Sequence, residues 1–215
     1  MSLDNIKSMF NPSNDEICQA VEAFQLRQEQ RFSNRYFAKD LRNLRPAAVI
    51  IPLLVKKGHW HVLLTHRSEE LVEHRGQIAF PGGARERADD DLATTALREM
   101  YEEIGVHPRD VQVYGHLGDM PILTGYLVRL FVGRIHWPYD LRINRAEVES
   151  VFIVPLSWLV DPHHRTIQYR SYAGREFPVI FFDHYEGHQL WGASAEMTIA
   201  LLEALGLVDQ EKRIT

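Results

Sequence analysis

Apolar and polar positions divide the chain into stretches of two different periods. Residues 47–55 and 60–65 are nearly continuous apolar runs rich in Val, Ile and Leu, separated by Lys56-Lys57-Gly58-His59. Short apolar runs bounded by a glycine turn predict two strands joined as a hairpin. Residues 77–80, 111–114 and 126–133 predict further strands, and an edge strand follows Glu147. Residues 166–172 and 177–182 predict a second hairpin, turning at Ala173-Gly174. Between the strands the period changes to that of a helix. Ala93, Ala96, Leu97, Met100 and Ile104 fall on one side at about 100° per residue, and Glu99, Glu102 and Glu103 fall on another. Asp89, Asp90 and Asp91 are the N-cap candidates for this helix, and Gly105 stands where a glycine ends one. Residues 15–32 predict an earlier helix with Ile17, Val21, Phe24 and Leu26 as a partial stripe. A last helix runs to about Leu205, with Ser194 as its cap and Trp191 as a packing anchor.

Composition narrows the class. A chain of 215 residues with 45% hydrophobic residues can bury one full core. We divide it into an N-terminal helical extension, 1–45, and a main domain, 46–215. The extension either covers part of that domain or makes a dimer contact, which leaves a homodimer open. A formal charge of −5 gives no reason to expect nucleic acid as a partner. The single cysteine, Cys18, excludes an internal disulfide framework and, with no secretory signal, points to a cytoplasmic location. No apolar run approaches the roughly 20 residues of a membrane span.

The acidic edge of the central helix is the first sign of chemistry. Carboxylates three and four residues apart repel by a few tenths of a kcal/mol per pair. Two of them also sit in the last turn, where the helix dipole disfavours anions. A hard divalent cation such as Mg²⁺ reverses both penalties by taking carboxylate and phosphate oxygens as ligands. The plain alternative is a solvated face relieved by Arg98, which lies i, i+4 from Glu102. Pro81-Gly82-Gly83 shifts the balance, since glycines upstream of an acidic helix let a ligand approach the backbone closely. His66, Arg67, His74 and Arg75 precede those glycines and are candidates for phosphate binding.

Gly83, Arg98, Glu99, Met100, Glu102, Glu103, Gly105 and Val106 together resemble the Nudix hydrolase box, G-x5-E-x7-R-E-U-x-E-E-x-G-U with U apolar. The interval from Gly83 to Arg98 is one residue longer than in that box, and Asp89 or Asp90 stands where its first glutamate is expected. Upstream, Leu64-Thr65-His66-Arg67-Ser68, Leu71, His74-Arg75-Gly76-Gln77 and Phe80-Pro81-Gly82-Gly83 are similar to the coenzyme A pyrophosphatase branch of the family. Downstream, Thr124-Gly125 with residues 128–133, Glu147 with residues 148–156, and residues 190–195 also resemble that branch, although Leu130 replaces its usual proline.

The resemblance implies an α/β protein with the Nudix fold, an α/β/α sandwich around a central mixed β-sheet. It implies Mg²⁺- or Mn²⁺-dependent hydrolysis of the diphosphate in coenzyme A or an acyl derivative, a small-molecule substrate. The expected metal ligands are Glu99 and Glu103, with Glu102 a ligand or metal-linked base. Arg98 orients the carboxylates, and Glu147 is an added ligand or general base, its plain alternative being an exposed acid before an edge strand. Gly82 and Gly83 hold the metal or diphosphate, while Arg67, His74 and Arg75 bind substrate. Tyr169, Tyr172, Phe177, Phe181 and Phe182 read as core or half-buried strand residues, the sharper option being a stack on adenine or a wall along a pantetheine arm. His163-His164 reads as loop. Two other functions stay open: hydrolysis of another nucleoside diphosphate derivative, such as a dinucleotide or nucleotide sugar, and a nucleotide sensor without catalysis. Intact Glu99, Glu102 and Glu103, with no helix-turn-helix segment apparent, argue against the sensor.

Overall fold

The computed structural model describes residues 12–28, 43–69, 76–172 and 174–208. Its elements are α1 (Asn14–Gln28), β1 (Arg45–Lys56), β2 (His59–Arg67), β3 (Ile78–Ala79), β4 (Gly82–Ala84) and α2 (Leu92–Ile104). They continue with β5 (Val111–Ile122), β6 (Tyr126–Ile135), β7 (Val148–Pro155), α3 (Leu156–Val160), β8 (Arg165–Tyr172), β9 (Arg175–Tyr185), β10 (His188–Trp191) and α4 (Gly192–Ala204).

β1 organises the sheet because it is apolar on both faces. It pairs parallel with β6 and antiparallel with β2, so the sheet is mixed. The order is β3-β2-β1-β6-β5, with β4 added beside β1 and β7 beside β2. Residues alternate sides along a strand. Ala47, Ile51 and Leu53 accordingly enter one core with helices α1 and α4, while Ala48, Ile50 and Leu54 enter another with α2. These two apolar layers make the α/β/α sandwich. The turn between β1 and β2 places both Lys57 (φ 52°) and Gly58 (φ 77°) in the left-handed region, the backbone that matches the twist of a tight hairpin. β8, β9 and β10 form a separate antiparallel sheet.

Several expectations shift. The stripe of α1 is Ile17, Val21 and Phe24, all buried, whereas Leu26 is 85% exposed. Positions 17, 21 and 24 follow the i, i+4, i+7 rule and 26 leaves that face. The expected end of this helix at Phe32 lies outside the described residues. Ser194 is not a cap, because β10 turns directly into α4 at Gly192 (φ 63°) and the N-cap position falls to Trp191. The Ser194 carbonyl instead accepts the Thr198 hydroxyl at 2.9 Å within the helix. Tyr169 is exposed rather than half-buried, and Trp191, 40% exposed, stacks on Phe181 with ring centroids 5.5 Å apart. The His163-His164 pair sits in a single 3-10 turn, Pro162–His164, where His164 stacks on Trp158 at 4.4 Å. Among the described residues, no helix is long and apolar enough to cross a membrane.

Candidate active site

The glycine segment is a strand, not a free loop. β4 pairs antiparallel with β1, setting Gly83 opposite Ala48 and Gly82 opposite Val49. Helix α2 lies over it, begun by Asp91, whose side chain accepts the Thr94 N–H at 2.7 Å. It is ended by Gly105 at φ 75°, whose N–H reaches the Tyr101 carbonyl. The approach is close at two positions: at Gly82 backbone blocks any side chain, and at Gly83 a side chain would have to displace the end of Glu99. A β-carbon on Gly83 would lie 2.5 Å from the Glu99 carboxyl carbon, and one on Gly82 would collide with the Ala48 carbonyl and lie 2.6 Å from Val49 Cα.

The three glutamates do not share one edge. Glu103 is 1% exposed, Glu99 is half-buried and Glu102 is exposed. Positions 99 and 103 are one helical turn apart and face the sheet, whereas 102 is rotated about 100° away. Glu147, just before β7, joins the first two: ligand-capable oxygens of Glu99, Glu103 and Glu147 lie within 4.8 Å of one another. Glu102 is not part of that group and bonds Arg98 at 2.8 Å.

Arg98 is the hub on the other side of the helix. Its Nε and Nη2 donate to the two oxygens of Asp89 at 3.0 and 3.1 Å, Nη1 to Glu99 at 2.9 Å, and Nη2 to the Ala84 carbonyl at 3.2 Å. Asp89 also accepts the Glu86 N–H and the Thr95 hydroxyl, both at 2.9 Å. The Arg98 hydrogen bonds hold the buried Asp89 carboxyl far below the usual carboxylate range. Asp89 thus steadies Arg98 rather than facing the trio.

The trio itself is under strain of another kind. Burial pushes the Glu103 carboxyl up to about 8, with Arg67 pulling against it and Glu99 and Glu147 adding to the push. Burial also raises Glu99, opposed by Arg98. Arg67, from β2, donates through Nη1 to Glu103 Oε1 at 3.2 Å. Two buried polar atoms here have no hydrogen-bond partner: Arg67 Nε and Glu103 Oε2. Buried polar groups are rarely left bare in proteins, so both call for a ligand. A convergent set of carboxylate oxygens with a bare lone pair is a donor set suited to a hard divalent cation.

His66, one residue before Arg67, points to the opposite side of β2. Its ring nitrogens lie 3.2 Å from the Gly76 carbonyl and 3.3 Å from Glu149. His74 and Arg75 lie outside the described residues.

Asn144 is a site residue that the sequence reading missed. Its N–H donates to the Glu103 carbonyl at 2.9 Å, and its side-chain amide donates to Glu147 at 3.0 Å. One residue thereby ties the end of α2 to the third carboxylate. The available signal was local: Asn commonly bonds the backbone two residues on, as here to the Ala146 N–H at 3.2 Å, and Glu147 follows three residues later.

The comparisons with known proteins bear on the family. The model of the NUDIX domain matches residues 43–196. An uncharacterized Nudix hydrolase NudL of Photorhabdus laumondii is 38% identical over 156 residues, 71% of this chain and 81% of its own. The peroxisomal coenzyme A diphosphatase NUDT7 of Mus musculus is 32% identical over 168 residues, 76% of this chain and 70% of its own. Among solved structures, a MutT/nudix family protein from Enterococcus faecalis aligns over 91% of this chain and 80% of its own, with 16% identity and a TM-score of 0.48. The family match and the sequence relatives carry the assignment: this chain belongs to the Nudix hydrolase family.

Proposed function

We propose that the protein hydrolyses the diphosphate of coenzyme A or an acyl-coenzyme A, releasing (acyl-)4′-phosphopantetheine and adenosine 3′,5′-bisphosphate. The observation that carries the hydrolytic reading is the convergence of Glu99, Glu103 and Glu147 around a bare buried carboxylate oxygen. The choice of substrate is supported by the NUDT7 relative and by the residues from Leu64 to Gly83 that resemble the coenzyme A branch.

The donor set fits Mg²⁺ or Mn²⁺, held by Glu99, Glu103 and Glu147. A divalent cation there supplies positive charge against the diphosphate oxygens and eases ionisation of the attacking water. The residues of the chain do the rest. Arg98 fixes the Glu99 carboxylate, and Glu102 stays on Arg98 at the solvent side. Arg67 offers its bare Nε to a phosphate oxygen as a charge-assisted donor. β4 keeps the approach clear of side chains at Gly82 and Gly83. Glu147, at the lip of the trio, takes the proton as the water oxygen bonds to phosphorus and the bridging P–O bond breaks.

The test is mass spectrometry of products after incubating purified protein with coenzyme A and Mg²⁺ or Mn²⁺. EDTA, 3′-dephospho-coenzyme A, NADH and ADP-ribose serve as parallel conditions. The expected result is metal-dependent formation of 4′-phosphopantetheine and adenosine 3′,5′-bisphosphate. Intact coenzyme A beside brisk cleavage of ADP-ribose or NADH overturns the substrate and keeps the reaction class.

A further inference from the structure

β7 begins one residue after Glu147 and, among the described residues, has β2 as its only ladder partner. Which of its backbone groups face outward follows from β2. Arg67 donates its N–H away from β7, to the Gln77 carbonyl at 3.0 Å, while Ser68 donates toward it, to the Glu147 carbonyl at 2.9 Å. Backbone groups alternate sides along a strand. The even residues of β2 therefore bond β7, and their partners are Ser150, Phe152 and Val154. Val151 and Ile153 turn their N–H and C=O groups to the open edge. Two neighbours agree with that parity. Pro155, which has no N–H to give, falls at an outward position, where a sheet tolerates proline. Arg145 reaches the outward carbonyl of Glu149.

A cavity of about 280 Å³ lies along this edge, where Trp137, Leu141, Phe152 and Tyr185 share the wall with the polar side chains of Lys56, His61 and Glu186. At roughly 3.3 Å per residue, Val151 and Ile153 stand about 13 and 20 Å along the strand from Glu147. The edge thus combines a phosphate-end anchor, a wall of mixed aromatic, aliphatic and polar side chains, and two residues' worth of free strand-type donors and acceptors.

We propose that the β7 edge binds the pantetheine arm of the substrate as an added strand, with its two amides bonding the outward backbone groups of Val151 and Ile153. This inference rests on the coenzyme A reading above. The arm has the right chemistry for it. Two amides separated by two methylenes mimic an extended peptide of roughly two residues, and main-chain pairing with an exposed edge is a general mode of recognition for such chains. The gem-dimethyl and methylene groups meet Trp137 and Leu141. The adenosine bisphosphate half leaves on the other side of the diphosphate.

Two measurements test this. The first compares kcat/KM of wild type and Ile153→Pro on coenzyme A and on a simple alkyl ester of 3′-phospho-ADP, which keeps the diphosphate and lacks the amides. The variant removes one outward N–H and no ladder bond. The expected loss is about tenfold on coenzyme A, the worth of one hydrogen bond, and several-fold smaller on the ester. Equal losses on both, or none on coenzyme A, overturn the inference. The second uses wild-type protein, so it does not depend on how the variant folds. Hydrogen exchange at the Val151 and Ile153 amides slows when 4′-phosphopantetheine is added. Slowing caused by adenosine 3′,5′-bisphosphate instead, or by neither compound, overturns the placement. Wild-type protein that leaves coenzyme A intact overturns the activity reading, and this inference with it. Cleavage without an amide-specific loss overturns this inference alone.

Discussion

Two groups of ionisable residues flank helix α2, and they are built on opposite terms. On one side Asp89 and Arg98 satisfy each other. Both Asp89 oxygens are engaged, and Arg98 reaches four partners: Asp89, Glu99, Glu102 and the Ala84 carbonyl. On the other side Glu103 is buried with a bare oxygen, held by one arginine that is itself incompletely bonded. The first group is complete without a ligand and serves the fold. The second is costly without one, which is the mark of a site kept ready for something else.

The largest break in this contrast comes from Asp89→Asn. It leaves Arg98 partly buried without its bidentate partner, and we expect a loss of about 3 kcal/mol in urea unfolding. The pH dependence follows the same logic. The folded value of Asp89 is depressed, so its contribution is present above the ordinary value of 3.8 and is lost as pH falls below it. Glu103 has the opposite sign. With its folded value raised from 4.5 to about 8, the metal-free protein loses stability as pH rises through that interval. Urea midpoints in EDTA from about pH 2 to pH 9 check both slopes, and Glu103→Gln removes the second.

Next in size is the activity of Glu103→Gln, expected to fall by at least about 100-fold at saturating Mg²⁺, as when a metal site loses its support. Its metal-free stability is expected to change little near pH 4.5, because the Glu103 carboxyl is itself held protonated in the fold below about pH 8. Thermal melts with and without Mg²⁺ check this, since the shift produced by the ion should shrink with the activity. Gly83→Ala sharpens the geometry. Its new methyl meets only the far end of the Glu99 side chain, so unfolding should change by no more than about 0.5 kcal/mol. Turnover should fall about tenfold as the Glu99 carboxylate moves. The smallest effect is expected from Glu102→Gln, about twofold to threefold in turnover, in keeping with one exposed ion pair. A Glu102 loss as large as that of Glu103 would return Glu102 to the metal-binding set.

The sequence reading recovered elements whose signals are local. Asp91 and Gly105 bracket α2, and the Lys57-Gly58 turn joins β1 to β2, because caps and tight turns are set by a few adjacent residues. The apolar runs were legible as the strands β1 and β2, whereas the sheet covered on both faces came only from the family resemblance. What escaped it depends on contacts between distant segments. Helical spacing put Glu99, Glu102 and Glu103 on one acidic edge, but β4 beneath the helix decides that 103 is buried and 102 is wet. The role of Asp89 needs the loop before α2 to fold back on Arg98. Leu26 and Ser194 were misread because each residue type fits its expected role, while the helix face and the strand exit that place it were not local facts. Asn144, at the far end of a loop, bears on the site through two hydrogen bonds that no periodicity marks.

That asparagine has one more consequence. By bonding the Glu103 backbone carbonyl and the Glu147 side chain, it ties the third carboxylate to the end of the helix that carries the other two. For the proposed ion, size then becomes an elastic question. If that tie resists opening, a small cation with oxygen distances near 2.1 Å would be favoured over Ca²⁺, at 2.3–2.6 Å. Selection by radius would then reside in the tie as much as in the carboxylates.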